Sequence, residues 1–89
     1  GGGASMNMPD RRIEQLWRDA MWHAERAETL FGYARILYRE YKDANLYGTL
    51  LPWQAGILYD GRRRCRRDAM MHQATANAFA RAAWSQHKW

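Results

Sequence analysis

Alanine recurs every seven residues in both halves of the chain, at Ala20, Ala27 and Ala34 and again at Ala69, Ala76 and Ala83. The two series mirror one another. Pairing Ala20 with Ala83, Ala27 with Ala76 and Ala34 with Ala69 puts the fold point between Leu51 and Pro52, where proline also disfavours a continuing helix. A small residue at one heptad position lets two antiparallel helices approach closely along a shared seam. The pattern therefore predicts an all-α fold built on an antiparallel αα-hairpin.

The residues around the ladder agree with it. Pro9 and Asp10 are expected to open the first helix, because proline is tolerated in a first turn and a carboxylate there complements the helix dipole. Apolar residues then follow helical spacing from Ile13 through Leu16, Trp17, Leu30, Phe31, Leu37 and Tyr38 to Tyr41. Asn45 to Gly48 is the expected stop, since both residues accept the left-handed conformation that ends helices. Thr49 is expected to cap a second helix with Pro52 in its first turn. Asp60 and Gly61 form a breaker pair that either kinks this helix or splits it. Helical spacing resumes through Cys65, His72 and Phe79 and fades in the Gln86 to Trp89 tail. There are no strand signals.

A hairpin of this size hides little of itself. Residues 1–5 read GGGAS ahead of Met6, as a vector-derived remnant does, leaving 6–89 as a single small helical domain. Such a domain buries only about 60% of its unfolded surface. The stretch from Ala69 to Ala80 carries no formal charge and sets Met70, Met71 and Phe79 around most of the helix. A helix covered by one partner should be polar on its far side, so a second apolar face is expected, used in a dimeric helical bundle or against another protein. Alanines in an antiparallel seam resemble the general shape of small dimeric plasmid regulators of the Rop type.

The absence of a run of about 18 apolar residues argues against a membrane span, and no charged leader precedes a short apolar core. A soluble cytoplasmic protein is expected. Cys65 is the lone cysteine, which fits a reducing compartment and excludes an internal disulfide. The formal net charge is +5, and only Lys42 and Lys88 among the 14 basic residues are lysines. Arginine with alanine in place of lysine suits a GC-rich bacterial or phage genome.

Arg62, Arg63, Arg64, Arg66 and Arg67 make the densest charge cluster, a collar near the turn. Guanidinium groups so placed neutralise phosphates or grip carboxylates bidentately. Trp53, Tyr59 and Tyr41 are expected to lie near the collar, where they can stack on bases or on guanidinium planes. The long hairpin is not a helix-turn-helix, which wants compact helices around a short turn.

His23, His72, His87 and Cys65 are the candidate metal ligands, and none stands three or four residues from another, so no metal site and no cofactor are expected. The hairpin register sets His72 opposite Leu30 and Phe31, and His23 near Phe79 and Ala80. Glu25 and Glu28 lie one turn apart without a nucleophile, ligand set or phosphate loop beside them. No catalytic residue is expected, nor an enzyme. Cys65 is expected to pack near Tyr38, although arginines around it would favour its thiolate.

Five tryptophans and five tyrosines remain to be placed. Trp17, Phe31, Tyr38 and Phe79 are the large residues expected to flank the alanine seam. Trp22, Trp53, Trp84 and Trp89 exceed what one small core needs, and exposed tryptophan and arginine are enriched in protein interaction hot spots. The reading is a small non-enzymatic interaction protein, an adaptor or inhibitor of phage or mobile-element type. Arg62, Arg63, Arg64, Arg66, Arg67, Trp22, Trp53, Tyr59 and Trp84 are its expected contacts to a larger protein. The alternative is a nucleic-acid-binding regulator that sets the Arg62–Arg67 cluster against phosphates.

Overall fold

The computed structural model describes residues 2–86, with side chains from Arg11 to Gln86; His87, Lys88 and Trp89 lie outside them. Two helices account for nearly all of it, α1 over Gly2–Leu46 and α2 over Pro52–Gln86. They pack along their length as a hairpin measuring 71 × 19 × 15 Å. The radius of gyration is 20.1 Å, against about 12 Å for a compact chain of this length. The molecule is a rod one helix pair thick.

α1 begins at Gly2, ahead of the expected opening at Pro9 and Asp10. Proline fixes φ at a helical value, so it removes one backbone bond without compelling a start. The other end follows the sequence closely. Gly48 takes φ +68°, its N–H donates to Asn45 O at 3.3 Å, and the Thr49 N–H donates to Ala44 O at 2.9 Å. This pair of bonds is a Schellman motif, and glycine supplies the left-handed residue it requires.

Thr49 does not cap α2. Its hydroxyl donates to Ala44 O at 3.3 Å and so finishes α1. The cap position of α2 falls on Leu51, whose carbonyl accepts the first helical bond from Ala55 N–H at 3.0 Å. Leucine has no capping oxygen. Gln54 supplies the reciprocal half of a capping box, its Oε1 accepting from the Leu51 N–H at 3.2 Å. The apex therefore lies at Gly48 and Thr49, before the expected fold point at Leu51 and Pro52.

α2 runs through Asp60 and Gly61 unbroken, where the sequence suggests a kink or a split. Gly61 is half-buried, and a Cβ on it would stand 3.2 Å from Leu37 Cδ1. Gly61 packs against the Leu37 side chain of α1, and that tertiary contact offsets its poor helix propensity. The early apex shifts the cross-helix register in the same sense: His23 sits between His72 and Phe79, with ring centroids 5.1 and 5.7 Å away. His72 thus meets His23 in place of the expected Leu30 and Phe31, while His23 keeps its expected neighbour Phe79.

Among the described side chains the buried set is Ala20, Ala27, Ala34, Ala69, Ala76 and Ala83, with Ala27, Ala69 and Ala83 at 0% exposure. The ladder is the core. The large residues expected to flank it are less covered: Phe31 and Phe79 are half-buried, while Trp17 and Tyr38 are exposed. Two helices leave each flank of the seam open, so a side chain beside it is covered from one direction only. No helix among the described residues is long and apolar enough to cross a membrane.

Candidate functional site

The strict seven-residue spacing fixes which side chains emerge on each flank of the seam. Along α1, Ala24, Phe31 and Tyr38 follow the three alanines of the ladder by four residues, and they emerge on one flank with Arg66 and Gln73 of α2. An open groove of ≈ 690 Å³ runs between them, lined on its floor by Ala24, Phe31 and Ala34. Its rim carries Glu28, Arg35, Tyr38, Arg62, Arg66 and Gln73. Three guanidinium groups and one carboxylate thus border an apolar floor.

Two members of the arginine cluster lie over aromatic rings. The Arg62 guanidinium carbon lies 4.5 Å from the Tyr38 ring centroid, the Lys42 ammonium lies 5.7 Å from the same ring, and Arg63 lies 6.0 Å from Tyr59. Among the described residues the salt bridge is Arg18–Glu14, at 2.7 Å on the surface of α1. Asp60 and Asp68 make no ion pair with the cluster there. Arg64 and Arg67 form with Asp60 and Arg63 a shallow second depression, and Arg62, Arg63, Arg66 and Arg67 border a third with Met70, Met71 and Ala74.

Charge is concentrated by the fold. Residues 34–67, which form the turn half of the rod, hold eight basic and three acidic side chains, and the rest of the chain holds six of each. The whole formal net charge of +5 therefore sits at one end.

Of the expected contacts, the five arginines, Tyr59 and Trp53 share this half. Trp53 lines a separate recess with Leu50, Ile57 and Leu58 against Glu40 and Ala44. Trp84 and Trp22 are elsewhere. Trp84 meets Trp17 edge to face at 6.3 Å in the other half, and Trp22 packs edge-on against its neighbour His23 at 4.9 Å and, across the seam, against His72 at 5.8 Å. Trp22, Trp53, Tyr59 and Trp84 are all exposed. They form separate contacts along the rod and not one patch.

Sequence reasoning missed Arg35, Phe31, Tyr38 and Gln73 as groove residues. Arg35 and Tyr38 stand one and four positions after Ala34, a spacing that puts both beside the seam. Read against the arginines of α2, that spacing was the available signal. Trp89 and His87 lie outside the described residues. Comparison with protein-family models, with curated proteins and with solved structures gives no match.

Proposed function

We propose that this chain is a non-enzymatic interaction protein, an adaptor or inhibitor, that docks its aromatic and arginine side chains on a larger protein. One observation carries the reading: among the described side chains the buried set is six alanines, while 15 large apolar or aromatic ones, from Trp17 to Trp84, are exposed. A monomeric soluble protein rarely leaves so much of its apolar complement in water unless that surface is used. The groove between Phe31, Tyr38, Arg62 and Arg66 adds directional chemistry, an apolar floor for an aliphatic or aromatic anchor and guanidinium groups for carboxylates. Self-association into a helical bundle is the companion proposal, covering one flank and leaving the other for the partner.

A tagged pull-down from a GC-rich bacterial lysate, with and without nuclease, tests it. A stoichiometric protein retained after nuclease and lost with the double variant Arg62→Glu, Arg66→Glu supports the reading. Recovery that collapses with nuclease overturns it in favour of nucleic acid. That second reading is favoured by the arginine cluster, which has no carboxylate partner among the described residues. Salt separates the two, since phosphate neutralisation makes affinity fall steeply with salt.

A further inference from the structure

His23 and His72 are 49 positions apart in sequence and meet across the seam with Nδ1 to Nδ1 at 2.9 Å. One Nδ1 donates and the other accepts, so the accepting ring carries its proton on Nε2. Both rings are half-buried, and Trp22 lies edge-on to each. We propose that the pair is a cross-helix site for a divalent transition metal such as nickel(II) or zinc(II). Imidazole nitrogen is a usual ligand for such ions, and metal–nitrogen bonds of about 2.0–2.1 Å let one ion sit between two rings that already face each other.

Loading the site turns both rings so that their lone pairs converge on the metal instead of on each other. The donor ring must free its Nδ1 lone pair, and a neutral ring does so by taking the tautomer protonated at Nε2. Among the described residues no group of three or more His, Cys, Asp or Glu side chains is placed to hold a metal, so water completes the coordination sphere. The site is open and exchangeable. Its effect is mechanical, because one ligand comes from each helix and the metal ties them together near mid-rod. Trp22, which packs on both imidazoles, is repositioned by the same event, and this couples metal to one of the proposed partner contacts.

The test uses untagged protein and nickel(II) chloride. The melting temperature should rise with the logarithm of nickel concentration, and at 100 times the dissociation constant the unfolding constant should fall about 100-fold. His23→Gln and His72→Gln should each abolish that response while keeping helical circular dichroism, and His87→Gln should keep it. No binding by the wild-type protein at millimolar nickel, or an undiminished response in the two seam variants, overturns the site. If those variants do not fold, zinc(II) titration of the wild-type protein followed by imidazole 15N resonances decides: shifts at the Nδ1 atoms of His23 and His72 uphold it, and shifts confined to His87 overturn it. Neither result depends on whether the chain has a protein partner.

Discussion

The guanidinium of Arg62 on α2 lies over the ring of Tyr38 on α1, 4.5 Å from its centroid, and joins the two helices where the charge is densest. Replacing Tyr38 with Leu keeps most of the bulk and removes the π face. Urea denaturation should show a loss of about 0.5–1 kcal/mol, the usual worth of a cation–π contact at an exposed site. An unchanged midpoint would mean that the stacking contributes nothing to the hairpin.

Ala27 is wholly enclosed by the seam, and Leu in its place forces the helices apart. The expected cost of Ala27→Leu is about 1–3 kcal/mol. Ala74, on the exposed side of α2, serves as the control, since Ala74→Leu adds the same atoms where there is space. Equal melting temperatures for the two variants would sink the close approach of the helices at Ala27.

Two glycines should respond to alanine with opposite signs. Gly48 holds φ +68°, so Gly48→Ala strains the Schellman turn by about 1–2 kcal/mol. Gly61 lies in helix, and its new Cβ would meet only the terminal Cδ1 of Leu37 at 3.2 Å, a methyl that can swing aside. Gly61→Ala should therefore stabilise the protein, by up to about 1 kcal/mol from helix propensity. Thermal melts of the pair check both signs.

The start of α2 is poorly capped, which makes it improvable. Leu51→Asp supplies the missing oxygen and should add about 1 kcal/mol, while Gln54→Ala removes the bond to the Leu51 N–H and should cost about 0.5–1 kcal/mol. Hydrogen exchange at the first turn of α2 would localise either effect. Slower exchange in Leu51→Asp is the expected result.

The hairpin was legible because its signal is periodic: alanines at seven-residue spacing mark every buried position, and a one-residue shift would bury charge instead. The register was not. Where a turn places its apex depends on which residue takes the left-handed conformation, and both Asn45 and Gly48 could. Choosing Gly48 and spending Thr49 on the end of α1 moved the apex away from Pro52. Gly61 misled for a related reason, since glycine that breaks an isolated helix is accommodated in one that packs against Leu37. The pairing of His23 with His72 was hidden by local spacing, because residues on separate helices show no i,i+4 relation and depend on that same register. The arginine collar was visible as a run, but its groove needed Arg35 and Tyr38 from the other helix.

A rod 71 Å long with all of its formal excess charge in one half is an electrical lever as well as a scaffold. In the field of an acidic surface it turns before it touches, so the arginine end leads and the neutral end trails. Two such rods lying alongside each other repel when their arginine ends coincide and are relieved when one is reversed. Head-to-tail side-by-side placement is then the arrangement of least repulsion, with one positive end at each extremity.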